Sequence, residues 1–126
     1  YELSGFIDTT LSTIEKDIAK ERMRGTIKEK KMVSKKLTTI LDNSRFRNRK
    51  IDFLNVDLEG ADMSTLQSLN FEIYRPKIIC VEITDKILDN SDIFKFLKKL
   101  DYKKKWSSIT NINHIFVDEL FLEKID

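Results

Sequence analysis

Asp57, Glu59 and Gly60 close the run Ile51-Asp-Phe-Leu-Asn-Val-Asp57-Leu-Glu59-Gly60-Ala61-Asp62, where an apolar, strand-like stretch gives way to two carboxylates and a glycine ahead of a helix-like stretch. Carboxylates placed there can take a hydrogen bond or a proton from a hydroxyl, or hold a cationic group. Ligands of parallel α/β sheets bind just beyond the carboxyl ends of the strands. Spacing by itself fits ordinary capping chemistry equally well, since acids near a helix start meet its unpaired N–H groups and positive dipole end. A further acid, Glu82, stands near the end of a second apolar run, residues 77–83, and either lines the same edge or pairs with a loop lysine. Cys80, the one cysteine, reads as a small buried hydrophobe within that run. His114, the one histidine, would titrate near neutral pH if unperturbed, and its place beside Asn113 in a hairpin reads as structural. No Cys/His/Asp spacing suggests zinc, no metal site is expected, and no hydroxyl–histidine–acid set suggests a hydrolase.

Alternating elements must position these groups. Residues 9–25 carry Leu11, Ile14, Ile18 and Met23 at near-helical spacing, with Gly25 as a stop. Residues 31–37 read as a short polar edge strand, residues 38–42 as a brief helical turn and residues 43–50 as an arginine-dense loop. A buried strand over 51–56 leads to a helix over 61–69. Residues 77–83 form the next strand, continuous in apolar character as a doubly covered parallel strand would be, with Pro76 at its start where a missing donor matters least. Ser91 or Asp92 caps a helix over 93–100. An antiparallel pair, 102–108 and 114–120, follows across an Asn-rich turn. This order belongs to the second half of a doubly wound α/β sheet.

The composition suits one soluble domain or a large piece of one: 126 residues, 40% apolar, 35% charged, net charge +2. No apolar run approaches the ~20 residues that span a bilayer. A lone cysteine excludes an internal disulfide framework, and a cytoplasmic location is the expectation.

The segment ending in Asp57-Leu-Glu59-Gly60-Ala61-Asp62 resembles the hallmark of the FkbM-type methyltransferases, a run close to I-D-x-L-K-I-D-x-E-G-A-E before a helix. Arg75-Pro76-Lys77-Ile78-Ile79-Cys80-Val81-Glu82-Ile83 is similar to the family's following strand, R-P-K-x-I-x-x-E, at the matching distance. Phe94-Lys-Phe-Leu-Lys-Lys-Leu-Asp-Tyr102 resembles its last helix, and Asn111-Ile-Asn113-His114-Ile-Phe116-Val117 its closing strand. The resemblance covers roughly residues 31–119. Asn55 departs from the family's usual lysine, and Asp62 from its usual glutamate with a shorter arm.

The resemblance implies a class I, Rossmann-like fold using S-adenosylmethionine and methylating a hydroxyl on a sugar or other small natural product. Asp57 and Glu59 are then the catalytic acids, Asp57 and Gly60 meet the cofactor, and Glu82 meets a small-molecule or glycan acceptor. The family's cofactor loop is a glycine-rich turn after the first strand, whereas Gly5, Gly25 and Gly60 lie far apart here. Residues 1–126 are accordingly expected to be the carboxyl-terminal half of the domain, with 1–30 a helical lead-in and 31–126 the α/β portion, inactive in isolation. The strand ending at Asp57 would then have an open edge inviting self-association into a homo-oligomer.

The rival reading is a binding module. Basic residues run from Lys20 to Lys36 and again through Arg45, Arg47, Arg49 and Lys50, and side chains of this kind can bind phosphates. Acids interleave with the first stretch, few aromatics accompany either, and nucleic acid is not expected to be the partner.

Overall fold

A computed structural model describes residues 2–4, 17, 26–28 and 33–122. β1 (Glu2–Ser4) and β2 (Thr26–Lys28) pair antiparallel in a ribbon of their own. The region read as a helical lead-in therefore contains these strands, and the helix expected over 9–25 lies, apart from Asp17, outside the described residues.

The remainder is a mixed α/β unit around a four-stranded sheet of order β3–β4–β6–β5, from β3 (Phe53–Val56), β4 (Ile78–Glu82), β5 (Tyr102–Ser107) and β6 (Asn113–Asp118). β3 and β4 run parallel, with Val56 opposite Val81, and their crossover carries α2 (Asp62–Gln67) and α3 (Phe71–Tyr74). β6 inserts antiparallel between β4 and β5, forming the expected closing hairpin. α1 (Leu37–Asp42) precedes β3, α4 (Asp92–Lys99) links β4 to the hairpin, and α5 (Glu119–Leu122) follows β6. No helix among the described residues is long and apolar enough to cross a membrane.

Period-two alternation sends Val56, Ile79, Val81 and Phe116 to one face, where they pack with Leu66, Tyr74 and Leu97 from the helices and Leu69 from the link between α2 and α3. Burying each such side chain stabilises by about 1.5–3 kcal/mol. Phe71 meets Phe96 and Tyr102 edge-on at centroid distances of 5.8 and 6.0 Å, locking α3 against α4 and the hairpin.

Several local expectations are corrected. Residues 33–36 form no strand and Leu37 opens α1, because Ser68 Oγ accepts from Leu37 N at 2.9 Å and Ser68 O accepts from Thr38 N and Oγ1. The strand read as buried over 51–56 is half open: Phe53 is 55% exposed, since β3 borders the sheet and has no strand on its outer side among the described residues. β4 is buried at alternate positions rather than on both faces, which leaves Cys80 half-buried. The helix expected over 61–69 breaks after Gln67. Asn70 then starts α3, its side chain accepting from Glu72 N and Ile73 N at 3.0 and 3.3 Å. Ser91 caps α4 as expected, accepting from Phe94 N at 3.4 Å.

The amino end of β4 is clamped. Arg75 donates from Nε and Nη2 to the two carboxylate oxygens of Asp118 at 3.0 and 2.8 Å, and from Nη2 to Leu100 O at 2.7 Å. Its guanidinium lies 5.3 Å from the Tyr102 ring centre, and the Tyr102 hydroxyl donates to Pro76 O. Asp118 raises the Arg75 pKa through the hydrogen bond, while burial, with Asp118 beside it, pushes the Tyr102 phenol far upward. Arg75-Pro76 thus ties β4 to the end of β6 and the start of β5.

Candidate functional site

At the other end of β3 and β4 the chain gathers acids. One step beyond the Val56–Val81 pair, Asp57 leaves β3 beside Glu82, the last residue of β4. Glu59 joins them from the turn, and the three carboxylates offer oxygens that all lie within 4.8 Å of one another. Asp57 is exposed while Glu59 and Glu82 are half-buried. Alternation places Asp57 and Glu82 on the half-open face with Asn55 and Cys80. Consistent with this, the Cys80 thiol is pushed up first by burial and then by the Asp57 charge.

The turn that presents these acids is organised by Asp62. This residue is 5% exposed, and its carboxylate accepts from Leu58 N at 3.1 Å and from Gly60 N at 3.3 Å. Ala61 N donates to Leu58 O at 3.3 Å and closes the loop. So tight a reversal forces left-handed backbone at two consecutive residues, with φ 51° at Glu59 and φ 106° at Gly60. A glycine meets the second value without a Cβ clash, whereas the left-handed region costs a glutamate of order 1–2 kcal/mol. That conformation turns Glu59 toward its fellow acids instead of along the helix start.

A cavity of 190 Å³ opens here, lined by Glu59, Gly60, Asp62, Met63, Glu82, Ile83, Thr84, Asp85 and Ile93. A larger groove of 690 Å³ runs along the opposite side of the turn, between Val33, Lys36, Leu37 and Ile40 on one flank and Leu58, Ala61 and Ser64 on the other. The chemistry available is acceptance of hydrogen bonds or a proton by carboxylate, attraction of a cationic group, and ligation of a cation by up to three carboxylates.

The residues singled out from the sequence are therefore brought together: Asp57, Glu59, Gly60 and Glu82 share one sheet end. Four others were given no role from the sequence. Asp62, noted there only as the shorter acid closing the family-like run, holds the turn from behind. Thr84 and Asp85 line the cavity because they follow β4, and Asn113 pairs with Glu82 across the β4–β6 ladder. His114 stays apart. It pairs with Val81 on the buried face, is 1% exposed and lies 2.9 Å by Nδ1 from Ser107 Oγ. Burial, reinforced by Lys104, holds its imidazole below the usual value. This placement, buried and away from the acidic cluster, is compatible with the structural reading of its position in the sequence.

With this geometry in place, comparison with known proteins becomes informative. The profile described as the methyltransferase FkbM domain matches residues 4–104. This stretch holds the acidic turn and the Arg75–Glu82 strand. No curated protein and no solved structure matches the chain.

Proposed function

Since this chain belongs to the FkbM methyltransferase domain family, we propose that its acidic sheet end is where a methyl acceptor is held, and that the transfer is to a hydroxyl oxygen of a sugar or other small natural product. The carrying observation is the convergence of Asp57, Glu59 and Glu82 from separate segments at the carboxyl ends of two parallel strands. Asp57 is the exposed member and is free to meet a ligand, so it is assigned the acceptor hydroxyl, orienting it and taking its proton as the oxygen becomes nucleophilic. Glu82 lines the acceptor's other side, and Glu59 holds the local field negative. Holding the oxygen in line and dry contributes more here than strong base catalysis does.

The methyl donor implied by the family is S-adenosylmethionine. The acid-lined cavity of 190 Å³ does not enclose a molecule of that size, being well below the ~300–1,000 Å³ usual for ligand pockets. Asp57 and Gly60 are assigned only its charged end, and no step is derived through it. A Rossmann-like, doubly wound parent sheet, with this chain as its later half, is part of the same reading, as is a cytoplasmic enzyme.

The test is steady-state methylation by Asp57→Asn in the full-length enzyme. Loss of the charge and of the proton acceptor lowers turnover by about 10²–10⁴-fold without lowering the melting temperature. Running the assay with and without a chelator separates direct contact with the acceptor from action through a bound cation. Near wild-type turnover sinks the assignment.

A further inference from the structure

We propose that the loop of residues 43–50 docks the protein on an anionic membrane surface, its arginines meeting lipid phosphates while Phe46 enters the headgroup region. The loop carries Arg45, Arg47, Arg49 and Lys50 and no acid, and every residue from 45 to 50 is exposed. Among the described residues no carboxylate forms an ion pair with these arginines, and Lys50 reaches only the backbone oxygen of Glu72, at 3.5 Å. Of the neighbouring acids among the described residues, Asp52 pairs with Lys77, while Asp42, which accepts from the Tyr74 hydroxyl, and exposed Glu72 keep their charge. Four cations between residues 45 and 50 thus outnumber these two acids.

The loop is also ordered in advance of any partner. Successive turns close through Ser44 N to Leu41 O, Arg47 N to Ser44 O and Arg49 N to Phe46 O at 3.0–3.2 Å, and Asn48 N reaches the hydroxyl of fully buried Tyr74 at 3.4 Å. Docking such a loop forfeits little conformational entropy. Phe46 is 46% exposed, with the Arg45 guanidinium 4.8 Å from its ring centre. An aromatic ring among guanidiniums suits the interfacial zone of a bilayer, where the ring enters and the cations meet phosphate.

A single-stranded nucleic acid would want a groove with successive stacking rings, and this loop offers one ring already covered by Arg45. The fold adds an orienting field. The loop precedes the amino end of β3, whereas Asp57, Glu59, Glu82 and Asp85 cluster around the carboxyl end, so an anionic surface attracts one end and repels the other.

Co-sedimentation of the whole chain with vesicles tests this, comparing phosphatidylcholine alone with phosphatidylcholine and phosphatidylserine at about 7:3. Binding is expected only to the anionic vesicles and falls with added salt. The double variant Arg47→Glu, Arg49→Glu weakens it by roughly tenfold or more, while Lys98→Glu, Lys99→Glu, with the same change in net charge on exposed α4, leaves it within about twofold. Phe46→Ala weakens it by roughly threefold at unchanged charge. Equal loss in both double variants, equal binding to neutral vesicles, or capture of a single-stranded oligonucleotide without vesicle binding would each overturn the proposal.

Discussion

β4 begins and ends in opposite ways. Ahead of its first residue, Arg75 is held firmly: three hydrogen bonds and an aromatic face fix its guanidinium, and its partner Asp118 is 5% exposed. At its last residue, Glu82 faces two like charges beside an open cavity. Five residues of strand separate a region in which opposite charges are paired and buried from one in which like charges are gathered and left accessible. Pairing and burial stabilise a fold and resist change. Like charges held together do the reverse, and they persist because the rest of the structure supports them. Within the Arg75–Glu82 run, the arginine anchors the sheet and the glutamate stands in the acidic cluster.

The sharpest way to break this contrast is to remove the clamp. Arg75→Ala removes the opposing charge from buried Asp118, leaving its carboxylate only the Leu120 N–H at 3.2 Å, and takes the Arg75 donor from Leu100 O. Unfolding by denaturant should show a loss of about 3 kcal/mol, the low end of the usual 3–5 because the guanidinium is one-fifth exposed. Asp57→Asn should cost no stability and should raise it slightly if anything, since it removes one of three gathered like charges. A comparable loss there would mean that the acidic end is structural too.

Asp62 gives the intermediate case. Asp62→Ala strands the N–H groups of Leu58 and Gly60 behind a turn with left-handed backbone, and should destabilise by about 1–3 kcal/mol. Methylation should fall further than stability accounts for, since Asp57 and Glu59 lose their support. Asp62→Asn, which keeps an accepting oxygen, should recover part of both. Full activity in Asp62→Ala would separate the turn from the site.

The smallest effect belongs to His114. Its folded pKa is depressed, so the unfolded chain binds the proton more readily. Stability from this group is intact above the unfolded pKa, about 6.5, and declines as pH drops from there to the folded pKa. Wild type should therefore lose more stability between about pH 7.5 and 5.5 than His114→Asn, whose side chain can still meet Ser107. Identical urea midpoint shifts would show that His114 titrates alike in both states.

Much of this molecule was readable in one dimension. Ser91 before an amphipathic run announced α4, the Asn-rich turn announced the hairpin, and the apolar run ending at Asp57 announced β3 and the location of the acids. Misreadings arose where a distant partner decided. Ser68, 31 residues away, makes Leu37 the start of a helix, and an edge position exposes Phe53 within a run read as a buried strand.

By itself the sequence determined the family and, from residue 51 on, the order of the main strands and helices, because capping, periodicity and turn chemistry act over a few residues and are written in adjacent letters. Only the tertiary structure decided that Glu82 meets Asp57 and Glu59, that Asp62 turns inward to hold their loop, and that His114 faces the core. Those outcomes depend on strand order and on register, in which a shift of one residue sends every side chain to the opposite face.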